Sequence, residues 1–197
     1  MPHDSAETSE RDPGTGLRFR PVTTKTLHDL DSFRLAHRTF GSCSCMRWRM
    51  RSAEFARATK SVRVRALDAL VTAGIPVGVL GYMDGAPVGW CSIAPIETFA
   101  ALDGPASADG QNGGHVWAVT CFYVDYRHRK QGIALRLLRA AVEYARAEGA
   151  KVIEGYPHES AHHPRGSMGT PSMFRRAGFR DATPPGKNRR VMRNVVG

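Results

Sequence analysis

Residues 116–149 read VWAVTCFYVDYRHRKQGIALRLLRAAVEYARAEG, and the fold is decided in this stretch. Val116 to Val124 carries no charged residue, which predicts a strand buried on both faces. Gly132 to Glu148 places Ile133, Leu137, Ala140, Ala141 and Tyr144 at helical spacing, and Gly149 supplies a stop. A short basic turn joins the two. The first turn of a helix has N–H groups without partners and a positive dipole end, a setting suited to phosphate. Gly132, at the junction, permits close backbone approach. Arg127, Arg129 and Lys130, with His128 beside them, crowd that positive end, where each cation is unfavourable by ~0.3–1 kcal/mol. A bound polyphosphate reverses the sign of that effect. The alternative is a solvated basic turn that happens to hold a glycine, and the strand before it and the helix after it weigh against that.

Outward from this centre, Lys151 to Tyr156 reads as a strand ended by Pro157. The strand–helix–strand crossover predicts that it lies parallel and adjacent to the strand at Val116. His158 to Gly169 reads as a loop and Thr170 to Ala177 as a short helix. Gly178-Phe179 opens a closing pair of strands that ends near Val196. On the N-terminal side, Leu17 to Val22 alternates as a first strand, followed by helical patterns over Thr26–Phe40 and Ala53–Ala73. Pro76–Tyr82 and Pro87–Pro95 are apolar runs joined by Asp84-Gly85, a strong hairpin signal. Ile96 to Gly114 reads as a mobile loop. The predicted order is β-α-α-β-β-β-α-β-α-β-β, a mixed α/β fold with a mostly antiparallel sheet and one parallel pair.

Composition narrows the class. At 197 residues the chain suits one domain with a tail. Met1 to Gly16 is polar and lacks an apolar centre, so residues 1–16 are expected to be a disordered tail rather than a targeting signal, with 17–197 as the domain. No apolar run approaches the ~18 residues of a membrane span, so a cytoplasmic location and no membrane partner are expected. The four cysteines, Cys43, Cys45, Cys91 and Cys121, are too few and too unevenly placed for a disulfide scaffold, and none forms a C-x-x-C. No metal site is expected. Lys plus Arg exceeds Asp plus Glu by 28 − 18 = 10, which favours an anionic partner such as nucleic acid, a membrane surface or a phosphate-rich cofactor. No G-x-x-x-x-G-K-S/T motif and no G-x-G-x-x-G after a strand is present, which argues against a P-loop and a dinucleotide fold.

Arg129-Lys130-Gln131-Gly132-Ile133-Ala134 resembles the Q/R-x-x-G-x-G/A signature of the GNAT superfamily of acyl-CoA-dependent N-acyltransferases. Met173 to Phe179 is similar to that family's short helix ending in Gly-Phe, and the element order agrees from Leu17 to Val195. The resemblance implies that the backbone of Phe122, Tyr123 and Val124 bonds the pantetheine arm of coenzyme A. It implies likewise that the N–H groups of Arg129, Lys130, Gln131, Gly132, Ile133 and Ala134 hold the pyrophosphate, beside two parallel strands that splay apart.

Acyl transfer to an amine needs a group to take the amine proton, donors for the oxyanion and an acid for the thiolate. Glu154 matches the position of a glutamate that is a base in some members of the family; the plain alternative is a Glu paired with an arginine. Tyr156 is two residues on, on the same strand face, and is the candidate acid, with core packing as its alternative. The family's usual acid is a Tyr four residues before the Gly of Gly-Phe, where this chain has Phe174. Ser172 and Tyr123 are further candidates for that role. Cys121, near His115, His158 or His162, is an option as an acyl-accepting nucleophile, against its reading as a buried hydrophobe. The loop Cys43 to Trp48 falls where this family often builds the acceptor pocket.

The sequence therefore points to acetyl transfer from acetyl-CoA to a primary amine on a small molecule or peptide, with a homodimer left open. A non-catalytic acyl-CoA sensor of the same fold is the first alternative. A basic nucleic-acid-binding protein is the second, disfavoured because aromatics are only 8% and no helix has a long basic face.

Overall fold

The structure, a computed structural model, describes residues 10–11, 16–102, 115–159, 166–186 and 188–197. The N-terminal half holds β1 (Glu10–Arg11), β2 (Arg18–Pro21), α1 (Leu27–Ala36), α2 (Arg38–Cys43), α3 (Ser52–Arg57), α4 (Lys60–Thr72), β3 (Val79–Met83) and β4 (Ala86–Pro95). The C-terminal half holds β5 (Val116–Val124), α5 (Ile133–Ala147), β6 (Val152–Gly155), α6 (Pro171–Arg176), β7 (Arg180–Asp181) and β8 (Met192–Val195). All strands join one sheet in the order β1-β2-β3-β4-β5-β6-β8-β7. The β5–β6 pair is parallel, from Val116 opposite Val152 to Val119 opposite Gly155, and the other pairs are antiparallel. The mixed sheet with its one parallel pair is thus the fold the sequence pointed to. Asp84 and Gly85 turn the β3–β4 hairpin with φ of 51° and 82°, as a tight primed turn requires.

The predicted helices differ in detail. Thr26–Phe40 is two helices, because His37 leaves the helical conformation (φ −125°, ψ 88°) and tucks its ring against Phe33 and Tyr123. Ala53–Ala73 is also two, separated by the extended Ala58 and Thr59. The Thr59 side chain accepts from the Val62 N–H at 3.4 Å and caps α4. Within the stretch expected to be a disordered tail, Glu10–Arg11 pairs with Arg18–Phe19; the rest of that stretch up to 15 lies outside the described residues. So does 103–114, most of the expected loop before β5. The loop after β6 contains a 3-10 turn at Gly166–Met168. Among the described residues no helix is long and apolar enough to cross a membrane.

The core lies on both faces of the sheet. On one, Leu137, Leu138, Ala141 and Ala145 of α5 pack over Ile93, Trp117, Val119 and Ile153. Full burial of a leucine such as Leu137 contributes ~1.5–3 kcal/mol. On the other, Leu30, Phe33, Phe40 and Leu67 cover Leu80 and Trp90. A third cluster on that side gathers Ala94, Phe99, Ala118, Tyr156 and Met168. Trp117 and Val119 face α5, yet Cys121 faces the opposite side. The change of parity is a β-bulge: Ser92 pairs with Cys121 and Ile93 with Val119, leaving Thr120 extra. Its hydroxyl, buried, donates to Ser92 Oγ at 3.1 Å.

Candidate active site

The parallel pairing stops at Val119 and Gly155, but β5 runs on to Val124, paired there with β4. The two strands part at this point. Phe174 of α6 fills the base of the gap: it is fully buried, edge-on to Phe122 at 6.2 Å and to Phe179 at 4.9 Å between ring centroids. A Cβ on Gly155 would run into the Phe174 ring, so glycine is what lets α6 seat there.

From Val124 the chain enters the basic turn. The buried Asp125 carboxylate accepts from the Arg127 backbone N–H at 3.0 Å and from its guanidinium at 2.7 Å. Those Arg127 hydrogen bonds hold the Asp125 carboxyl down to about 2, against its own desolvation. His37 Nε2 lies 3.8 Å from Asp125 Oδ2, and burial lowers that imidazole's pKa. Arg129 Nε donates to the Val124 carbonyl at 3.1 Å. The basic cluster at the helix start is therefore partly tied down: Arg127 folds onto Asp125, while Lys130 is exposed.

Lys130 and Gly132 both have left-handed backbone, with φ of 62° and 75°. Alternation of backbone handedness over a short stretch is a known way to make an anion-binding concavity. Gly132 is the N-cap of α5 and offers no side-chain cap, so the helix's first N–H groups depend on something else. A Cβ on Gly132 would meet no protein atom within 4 Å. The space above it is open, and the residues present fit a bound pyrophosphate. Arg129, Lys130, Gln131 and Gly132 are exposed, while Ile133 is buried and anchors the helix. Phe122 faces Phe174, and Tyr123 faces Phe33, His37 and Phe40 on the other side of the sheet.

Glu154 lies at the other end of the divergence, opposite Ala118 on β5 and Arg193 on β8. It is fully buried. Its Oε1 accepts from the Arg193 guanidinium at 2.8 Å and its Oε2 from the Tyr156 hydroxyl at 2.9 Å. Burial, and then the Glu154 charge, push the Tyr156 phenol well above its usual range. Glu154 and Tyr156 are thus in direct contact, and Glu154 is also paired with an arginine. Sequence reasoning did not single out Arg193, because only strand register distinguishes it from the other arginines. Asp125 was legible in principle as the acid opening an Asx-type turn before two basic residues.

The remaining candidates are scattered. Ser172 Oγ lies 3.0 Å from Thr170 Oγ1 at the start of α6. His115 Nδ1 is 3.1 Å from the Gly149 carbonyl at the entry of β5, and the His158 N–H donates to the Gly169 carbonyl. His162 lies outside the described residues. Of the Cys43–Trp48 loop, Trp48 packs against the cluster that holds Tyr156, with Arg189 5.2 Å over its ring. Cys45 Sγ accepts from Trp90 Nε1 at 2.9 Å. Cys121 contacts the Cys45 thiol and Ser167 by side-chain hydrogen bonds, which lower its pKa against desolvation. Among the described residues no group of three or more His, Cys, Asp or Glu could hold a metal ion.

The sequence profile of the acetyltransferase (GNAT) family matches residues 43–163. YncA from Salmonella typhimurium, solved with its cofactor acetyl-CoA, superposes with a TM-score of 0.56 at 16% identity, covering 93% of this chain and 95% of that one. The GNAT family N-acetyltransferase YhbS from Escherichia coli, in complex with CoA, gives 0.53 at 15% identity over 95% and 86%. The ribosomal-protein-alanine N-acetyltransferase from Brucella melitensis gives 0.54 at 18% identity over 90% and 98%. At these identities the likeness is one of fold. No curated protein sequence matches the chain.

Proposed function

The chain belongs to the acetyltransferase (GNAT) family, and from that premise we propose that it moves an acetyl group from acetyl-CoA directly to a primary amine. The observation that carries this reading is the uncapped start of α5, behind a left-handed glycine, beside two parallel strands that part. In this reading residues 17–197 carry the acetyltransferase, with β1 added at the edge of its sheet, and it works in the cytoplasm.

When bound, the cofactor supplies an acyl group as a thioester, already activated toward an amine. The chain's own groups do the rest. The backbone of Phe122, Tyr123 and Val124 would bind the pantetheine arm along the side of β5 that β6 leaves. The N–H groups of Arg129 to Ala134 would hold the pyrophosphate, with Lys130 adding charge. The acceptor must lose a proton, which is harder for a lysine amine near ~10.4 than for an α-amine near ~8. Glu154 is the base of this reading and works through Tyr156, since the carboxylate itself is sealed from solvent. Tyr156 Oη takes the amine proton as it passes its own to Glu154 Oε2, leaving a neutral carboxyl and an unchanged phenol. The same hydroxyl then carries the proton back out to the leaving group. Arg193 holds the carboxylate in place.

Phe174 at the family's usual tyrosine position, together with the sealed Glu154, favours a second reading, an acyl-CoA sensor without turnover. A thiol-release screen with acetyl-CoA against polyamines, aminoglycosides, amino acids and peptide N-termini separates the two. An enzyme releases thiol with at least one amine, and Glu154→Gln then lowers turnover by ~10²–10⁴, with Tyr156→Phe close behind. Tight acetyl-CoA binding with no acceptor turned over makes the sensor the right reading.

A further inference from the structure

Cys45 and Cys121 pack in the cluster on the sheet face opposite α5, whereas Cys91 packs on the α5 face. Cys121 stands on β5 immediately after the bulge, partly exposed. Cys45, buried, comes from the loop between α2 and α3 and belongs to the cluster against which Cys121 packs, close enough for the two thiols to influence each other. Cys43 and Cys91 lie near enough to feel a charge on Cys121.

The loop goes to some cost to present Cys45. Ser44 and Cys45 are consecutive non-glycine residues with left-handed backbone, φ 46° and 53°, and both are buried. Such residues are sparsely populated and persist only where the surroundings enforce them. Here the enforcing contacts are visible: Ser44 Oγ donates to the Gly41 carbonyl at 3.0 Å, and Trp90 Nε1 donates to Cys45 Sγ at 2.9 Å.

The two thiols are unlike: burial pushes the Cys45 thiol well up, while its contact with Cys45 draws Cys121 down. Arg49, 7% exposed, is stacked 4.3 Å over Phe99 and donates to Thr98 Oγ1 and the Val77 carbonyl. Neither partner is a carboxylate, and its Nε is without a hydrogen-bond partner. This buried cation is near enough to Cys45 to feel a thiolate there, and desolvation lowers its pKa to about 10. On the other thiol, Ser167 adds a hydrogen bond that favours the Cys121 thiolate.

We propose that Cys121 and Cys45 are a peroxide-reactive pair that closes a reversible disulfide between β5 and the α2–α3 loop. The Cys121 thiolate attacks one oxygen of a hydroperoxide, the O–O bond breaks, and Cys121 sulfenic acid forms with release of water from hydrogen peroxide or an alcohol from an organic hydroperoxide. The Cys45 thiol then attacks the sulfenyl sulfur, the S–O bond breaks, and water leaves with the Cys45 proton. One peroxide is reduced and two thiols are oxidised. The bond fastens the loop onto the bulge, on the sheet face that carries Tyr156, and a dithiol reverses it. The pair stands on its own geometry and needs no acetyl transfer.

The test uses the full chain and hydrogen peroxide in small excess, without coenzyme A. Wild type should lose two thiols, drop in mass by two hydrogens and give a cross-linked peptide joining Cys45 to Cys121. Closing that long loop should raise the melting temperature by roughly 5–10 °C, reversed by dithiothreitol. Cys43→Ser should behave identically. Cys45→Ser should stop at the sulfenic acid, trapped by dimedone. Cross-links through Cys43 or Cys91, or wild-type Cys121 passing to the sulfinic acid as readily as in Cys45→Ser, would overturn the assignment. So would four intact thiols. The wild-type cross-link decides the matter even where a variant fails to fold.

Discussion

Gly132 combines two requirements that no other residue type meets together: φ of 75° and an open space above its Cα. A side chain there clashes with no part of the protein, so its cost falls on the backbone and on the ligand. Gly132→Val should leave the fold in place and weaken coenzyme A binding tenfold or more, roughly, by titration calorimetry. Unchanged affinity in a folded variant would remove the cradle. Asp125 offers a different test. Its folded carboxyl is depressed to about 2 by Arg127, so the stability it contributes is complete above the ordinary carboxylate value and disappears as pH falls toward 2. Asp125→Asn should therefore melt below wild type at neutral pH, with the gap narrowing between about pH 4 and pH 2. A gap independent of pH would mean that shape, not charge, is what the turn needs. At this scale the sequence was legible where backbone chemistry decides, as at Gly132. It was not where register decides. Glu154 could be named as a candidate, yet its pairing with Arg193 depends on how β8 lies against β6.

Elements show the same division. β5 and α5 could be read outright, because an uncharged strand and a strong apolar stripe admit one interpretation each. The break at His37 could not, since the apolar spacing continues from Phe33 to Phe40 and packing against Tyr123 interrupts the helix; the break at Ala58-Thr59 carried one local sign, the Thr59 cap. The seat of α6 was equally hidden. Met173 to Phe179 could be read as a helix with a glycine stop, but nothing local says that Phe174 lands on Gly155 across the chain. That contact is testable. Gly155→Ala should cost ~1–3 kcal/mol through overpacking, seen as a lower denaturation midpoint. Combining it with Phe174→Leu, which shortens the obstructing ring, should recover part of the loss, whereas strict additivity would show that the two residues do not meet.

In the whole molecule, the net charge of +10 says little about fold and something about partners: anions are favoured, and the shape of the site narrows which. The sheet itself is held unevenly. β1 to β5 form one continuous antiparallel block, while among the described residues β6, β8 and β7 connect to it through the short Val116–Val119 ladder, the packing of α5 and α6, and the cluster around Tyr156 with Arg189 over Trp48. A join of that length between two blocks is a seam, and roughly the last quarter of the chain lies beyond it. Amide hydrogen exchange should find this unit opening on its own, at a lower free energy than global unfolding, with the Val152–Gly155 and Met192–Val195 amides released together. A ligand lodged along the parting strands and touching both blocks would act as a clasp. Coenzyme A at a hundred times its dissociation constant should stabilise the chain by ~2.7 kcal/mol, and the gain should appear first in those amides. Equal slowing everywhere would mean that the two blocks never separate, and that the gap between β5 and β6 is a rigid slot rather than a mouth.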